Sequence, residues 1–150
     1  MIPSVSRLIL VIVLASVWTE SVDASAPAGR FAKGQGTVLD TKTKLLWQQD
    51  TPQLTYSWSD AKSYCASVGT SLGGSGWRLP TVRELQTLVD PSRMADPRID
   101  LTAFPSTPSA GFWTSSPVAG SPSSAWLVNF YDGFASVYDA TTTVDVRCVR

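Results

Sequence analysis

Gly76-Trp77-Arg78-Leu79-Pro80-Thr81-Val82-Arg83-Glu84-Leu85 is the stretch whose reading decides the fold. Pro80 has no backbone N–H and pushes Leu79 into an extended conformation, so no helix runs through this point. Thr81 is then the natural N-cap, with Glu84 three residues on to complete a Thr-x-x-Glu capping box. Val82, Leu85, Leu88 and Val89 follow at helical spacing and predict a helix from Val82 to about Val89, closed by Asp90-Pro91. An extended segment, a forced break and a capped amphipathic helix therefore follow one another within a few residues.

Upstream, Ser57-x-x-Asp60 is a weaker capping box, and Trp58, Ala61, Cys65 and Val68 share one helical face until Gly69. Cys65 is thus expected to point inward. Thr37–Leu39 and Lys44–Gln48, around the polar turn Asp40-Thr41-Lys42-Thr43, predict a first hairpin. Downstream of the second helix, prolines recur between Pro91 and Ala125, which predicts an ordered loop region with one strand at Gly111-Phe112-Trp113-Thr114. Trp126, Val128 and Phe130 alternate on a strand, Asp132-Gly133 predicts a tight turn into Phe134–Tyr138, and Val144, Val146 and Cys148 line one face of a final strand. Two short helices with a mostly antiparallel set of strands make an α+β domain.

The chain has 150 residues, with Lys plus Arg and Asp plus Glu at 12 each. That balance provides no field for nucleic acid. The absence of histidine excludes histidine-based acid–base catalysis, Ser-His-Asp and Cys-His nucleophiles, and histidine metal sites. Arg7, the apolar run Leu8–Trp18 and the small-residue pattern Val22-Asp23-Ala24-Ser25-Ala26 have the form of a signal peptide, with cleavage after Ala24 or Ala26. The run is too short to span a bilayer, so no membrane span is expected once it is removed. The organisation read from this is a signal over 1–26, a Pro/Gly-rich flexible lead-in over 27–36, and a domain over 37–150. Export, to the periplasm or the cell surface, makes a Cys65–Cys148 disulfide the default, worth about 4–5 kcal/mol at most in the chain-entropy model. Two buried free thiols are the alternative.

Several pieces then occur in order: Leu45-Leu46-Trp47-Gln48, Trp58-x-x-Ala61 with Tyr64-Cys65, Gly76-Trp77-Arg78-Leu79-Pro80-Thr81 with Glu84-Leu85, Phe112-Trp113-Thr114, Ala125–Phe130 with Asp132-Gly133, and Val146-Arg147-Cys148-Val149-Arg150. As an ordered set they resemble the Lcl C-terminal domain family, the C-terminal domain of bacterial collagen-like adhesins. The resemblance implies a C-type-lectin-like fold in which an early helix is bridged by a disulfide to the last strand, the positions that Cys65 and Cys148 hold. The chain is also distantly similar to formylglycine-generating enzymes but lacks their reactive cysteine pair, and it contains no Glu-Pro-Asn, Gln-Pro-Asp or Trp-Asn-Asp triplet of calcium-dependent lectins.

Function is therefore expected from binding, with no catalytic residue, no metal and no cofactor. The expected ligand is a glycan, including sulfated polysaccharide, or another surface ligand; an envelope or surface protein is the alternative partner, and a divergent formylglycine-type enzyme a further one. Of the tryptophans, Trp47, Trp58, Trp77 and Trp126 are expected to pack the core, leaving Trp113 as the contact candidate. Arg93 and Arg98, with Arg83, are weighed as an anion-binding patch against a solvated surface. Tyr131 and Asp132 at the last turn complete the ligand set, whereas Trp77, Arg78, Pro80, Thr81 and Glu84 are structural. Asp90, Asp96 and Asp100 are spaced across one loop as hard oxygen donors for Ca²⁺, but match no EF-hand, and no motif supports them as glycosidase carboxylates.

Overall fold

The computed structural model describes Pro27 and residues 29–150, so the expected signal over 1–26 lies outside the described residues. The chain folds as α+β, with two three-stranded antiparallel sheets and short helices. Strands β1 (Phe31–Lys33), β2 (Thr37–Asp40) and β3 (Leu46–Gln48) form the first sheet in sequential order. The predicted hairpin is β2–β3, with Val38 opposite Trp47. Its turn is organised by Asp40, whose carboxylate accepts the amides of Lys42 and Thr43, and by Lys44 in the left-handed region at φ 64°. Strand β1 falls inside the stretch expected to be a flexible lead-in. It is held because Arg30 pairs with buried Asp40 at 2.8 Å, Phe31 meets Phe104 edge to face at 5.3 Å, and the strand's register runs from Phe31 opposite Asp40 to Lys33 opposite Val38.

Helix α1 (Trp58–Ser67) starts at the expected cap, Ser57, whose hydroxyl accepts the Asp60 amide. Gly69 does not end the helical run: a further turn, α2 (Gly69–Leu72), follows, and the break comes at Gly73, whose φ of 76° favours a residue without Cβ. Helix α3 (Val82–Gln86) has the full capping box on Thr81 and Glu84. It is shorter than its apolar stripe, because the amides of Thr87, Leu88 and Val89 bond three residues back, to Glu84, Leu85 and Gln86, tightening the last turn. Leu88 still reaches the core from that turn.

The largest departure lies between Pro91 and Ala125. Long regular elements are not expected there, yet β4 (Gly111–Val118) and β5 (Ser121–Asn129) are the longest strands described, joined at Ala119-Gly120. Their prolines are tolerated where pairing is irregular or begins: Pro117 sits at a shift in register, and Pro122 is the second residue of β5. Strand β6 (Ala135–Asp139) completes the order β4-β5-β6 as an outer strand. The turn before it is wider than a two-residue turn. Residues 130–133 loop between Asn129 and Phe134, whose amide and carbonyl bond at 2.9 Å.

The terminal segment, residues 144–150, is not a long strand in one sheet, as predicted, but a strip sewn to several partners. Leu46 and Arg150 exchange two amide–carbonyl bonds, as do Arg78 and Val149, and the amide of Trp113 donates to Asp145. The strip thereby joins the first sheet, the Trp77–Pro80 segment and β4. Both faces are buried from Val146 to Val149. Val146 and Cys148 enter one apolar cluster with Ala61, Cys65, Trp77, Leu79, Trp113 and Leu127, and Val149 enters the other with Val38, Trp47, Leu85, Phe112, Val128 and Phe130. Strand β5 likewise feeds Leu127 to one cluster and Val128 to the other, while Trp126, expected in the core, is half-buried. Cys65 and Cys148 form the disulfide, their Cα atoms 5.3 Å apart.

Candidate functional site

The sequence singles out two groups of residues, and the fold treats them differently. In the first, Glu84 is surrounded by donors: Arg78 grips its carboxylate through both terminal nitrogens at 2.7 and 2.8 Å, and the Thr81 amide donates at 2.7 Å. These bonds, Arg78's first, hold the Glu84 carboxyl at about 2 despite opposing burial. The carboxylate that Arg78 engages is thus the cap itself. Trp77 is buried and donates its indole N–H to the Gly73 carbonyl, and Leu79 and Pro80 are buried beside it. This group is consumed in holding the end of one loop, the start of α3 and the terminal strip together.

Arg147, which the sequence reading leaves without a role, does similar work deeper in the molecule. It is fully buried with no carboxylate in bonding range and donates to the carbonyls of Gln48 and Gln49 and the hydroxyls of Thr51 and Thr107, with its guanidinium 4.6 Å from the Phe104 ring centroid. Burial lowers its pKa to about 9, so it remains charged at neutral pH. Its signal in the sequence is a cation set among Val146, Cys148 and Val149.

The second group was expected on the loop face. Trp113 does not belong to it: the ring is 0% exposed and its N–H donates to the Tyr56 carbonyl at 2.8 Å. The reason is the pairing of the strand that carries it. On β4, Trp113 pairs with Leu127 and faces the cluster around the disulfide. Three other residues do come together. The Arg98 amide donates to the Phe130 carbonyl at 2.6 Å, and a Cβ on Gly133 would lie 2.8 Å from Val89 and 3.8 Å from the Arg98 side chain. The turn carrying Tyr131 and Asp132 therefore rests on the Val89–Arg98 segment. Gly133, at φ 84°, permits that approach.

At this tip Asp132 accepts the Phe134 amide at 2.9 Å, and Tyr131 stands 52% exposed. The Tyr131 phenol is pushed up first by hydrogen bonding to the Asp132 carboxylate, then by that charge, with a smaller influence from Tyr138. Phe134, 69% exposed, and Tyr138, 45% exposed, continue the aromatic surface. Neither was singled out from sequence; their signal is adjacency to the turn. Arg93 is half-buried nearby and donates its Nε to the Pro97 carbonyl at 3.2 Å.

The three aspartates weighed as calcium donors have separate duties. Asp90 accepts from Ser92, Asp96 from the Ser109 hydroxyl, and Asp100 from the amides of Thr102 and Ala103. Among the described residues no group of three or more His, Cys, Asp or Glu side chains is arranged to hold a metal ion. Both cysteines lie in the disulfide and are fully buried. A hollow of about 220 Å³ lies elsewhere, lined by Pro27, Gly29, Arg30, Thr41 and Lys42, where Arg30 is already engaged by Asp40 and by the Thr87 carbonyl. No helix among the described residues is long and apolar enough to cross a membrane.

Comparison with known proteins agrees with this arrangement of motifs. The family model described as the Lcl C-terminal domain matches residues 36–150. No curated protein matches the chain in sequence.

Proposed function

The chain belongs to the Lcl C-terminal domain family, and from that premise we propose that it is an exported, non-catalytic binding module that recognises glycan through the hairpin tip at residues 130–134 and the Pro91–Arg98 loop beneath it. The family suggests a domain of an exported protein, and a buried disulfide is compatible with such a location. A leader over residues 1–26, removed on export, belongs to the same reading. So does a C-type-lectin-like relation, supported by an early helix stapled to the terminal strip.

The observation that carries the binding proposal is the contrast in side-chain exposure. Trp47, Trp77 and Trp113 are buried, whereas Tyr131 and Phe134 stand exposed at one ordered turn and Tyr138 is exposed further along β6. Exposed rings on a rigid support suit the apolar face of a sugar, and the adjacent Asp132 carboxylate can accept its hydroxyl protons. Against catalysis of the formylglycine type stands the engagement of both cysteines in one buried bridge. A glycan array probed with the full chain tests the proposal. Binding to at least one glycan, abolished by Tyr131→Ala, supports it; silence across the array, with capture of an envelope protein instead, replaces it with the protein-interaction reading.

A further inference from the structure

We infer that the outer edge of β6 takes an extended peptide segment of another protein as an added strand, and that this segment bears an apolar residue two places after a cationic one. The edge is separate from the tip at residues 130–134 and does not depend on glycan being held there.

The backbone of β6 shows which groups are free. The Asn129 amide donates to the Phe134 carbonyl at 2.9 Å, and the Ala140 amide to the Ser123 carbonyl at 2.8 Å. Between these bonds Leu127 lies opposite Ser136 and Ala125 opposite Tyr138. Alternation of the ladder therefore commits Ser136 and Tyr138 to β5 and turns the backbone of Ala135, Val137 and Asp139 to the open side, since β6 is the outer strand of its sheet. There the Asp139 carbonyl accepts the Thr142 amide at 3.0 Å, but the amides of all three residues and the carbonyls of Ala135 and Val137 meet no partner among the described residues.

The other sheet edges are closed or guarded. On β3, the amides of Leu46 and Gln48 donate to Arg150 and Cys148 of the terminal strip. On β4, the amides of Trp113 and Ser115 donate to the carbonyls of Asp145 and Pro80. Strand β1 is three residues long and ends on Lys33. Short length, lysine, proline and bulges are the devices that keep an edge from pairing. Strand β6, Ala-Ser-Val-Tyr-Asp, has no lysine, proline or register shift, and Val137 and Tyr138 are 44% and 45% exposed. Such an edge offers a row of hydrogen bonds that only another extended backbone can complete.

The side chains then select the strand. Added antiparallel, as in every other pairing of this sheet, it sets one residue opposite Val137, whose partner across the ladder is half-buried Trp126, so an apolar side chain fits there. The residue two places earlier in the incoming strand falls opposite exposed Asp139, on the same face. No Lys or Arg stands between Arg98 and Arg147, a span that includes β4, β5 and β6. At the helix start that meets the end of β6, where the Trp58 amide donates to the Ala140 carbonyl, Lys62 lies 3.4 Å over the Trp58 ring and Asp60 is tied to Ser57. A cation opposite Asp139 is therefore one that the partner brings. A second copy of β6 would bring another Asp139 and no cation.

The test is titration of the isotope-labelled full chain with the peptide acetyl-Thr-Lys-Tyr-Val-Thr-Val-Thr-amide, followed by NMR. The expected result is saturable shifts and slowed amide exchange at Ala135, Val137 and Asp139, with a Kd of about 1 mM or below. N-methylation of both peptide valines, which removes the donors facing the edge, should weaken binding about tenfold or more, and exchanging the peptide's lysine for glutamate about threefold. Val137→Pro deletes an outward amide and no bond to β5, so it should weaken binding as N-methylation does while Tm stays within about 3 °C of wild type. If that variant does not fold, the N-methylated peptide decides alone. Binding that N-methylation leaves intact is side-chain contact and overturns strand addition; binding that glutamate leaves intact overturns the call for a cation. Silence towards the peptide overturns the inference, and a concentration-dependent dimer that Val137→Pro abolishes would give the edge to a second copy instead.

Discussion

The capped break at Leu79–Glu84 and the turn at residues 130–134 are both short connections fixed by an acidic side chain, yet they do opposite things with what they fix. At the first, Glu84 accepts from Arg78 and Thr81, and buried Trp77 and Leu79 flank the break. At the second, Asp132 accepts one amide and leaves Tyr131 and Phe134 facing outward. The motif-rich stretch is the scaffold, and the plainer stretch is the candidate surface. A dense local pattern reflects many internal obligations, and groups that satisfy one another are not available to a ligand.

Substitutions can break that contrast or sharpen it. The largest effect is expected for Trp113→Ala, which opens a cavity beside the disulfide and removes one of the two hydrogen bonds to the Tyr56 carbonyl, leaving the one from the Val144 amide. It should cost about 4–5 kcal/mol, lowering Tm by about 10–20 °C in a calorimetric scan. A variant that keeps its Tm but loses ligand binding would instead return Trp113 to the surface role. Next comes Cys65→Ala with Cys148→Ala. Releasing a bridge that spans 83 residues should cost about 3–4 kcal/mol in urea titrations, and a loss below about 1 kcal/mol would mean that the terminal strip is held by its backbone bonds alone.

Glu84→Gln is smaller and carries a pH signature. Because the folded carboxyl lies at about 2, below its ordinary 4.5, its contribution is present above about pH 4.5 and is lost as pH falls towards 2. The ion pair is partly solvated, which reduces its worth, so the gap between wild type and variant should be about 1–2 kcal/mol at pH 7 and close by about pH 2. A gap independent of pH would separate the cap from the charge of Glu84. Smallest in stability is Tyr131→Ala. An exposed ring should cost less than about 0.5 kcal/mol, so its urea midpoint stays near wild type while glycan retention falls; a large stability loss would make Tyr131 part of the scaffold.

Much of the scaffold was readable along the chain because its rules are local. Thr81 and Glu84 cap a helix by spacing alone, Pro80 forbids its extension, and Ala61 and Cys65 fall on one face by helical period. Cys148 likewise alternates with Val146 on the terminal strip, so the inward direction of both cysteines was visible before their pairing. Where two local rules competed, the reading failed. The prolines between Pro91 and Ala125 restrict the predicted strand to Gly111–Thr114, whereas it continues to Val118 and pairs with a strand that begins at Ser121. A short strand within a loop region leaves the side on which Trp113 lies open, and pairing with Leu127 puts its ring in the cluster around the disulfide.

By itself the amino-acid sequence determined the α+β class, both helix starts, the β2–β3 and β5–β6 pairings and the family, since capping, periodicity and turn chemistry act over a few residues. Only the tertiary structure decided which aromatic rings are exposed, that Arg147 is buried among carbonyls and hydroxyls, and that Arg98 lies under the turn of Tyr131 and Asp132. Those outcomes depend on which segments meet across the fold, and no short-range spacing encodes a meeting between residues 48 and 147 or between 98 and 130.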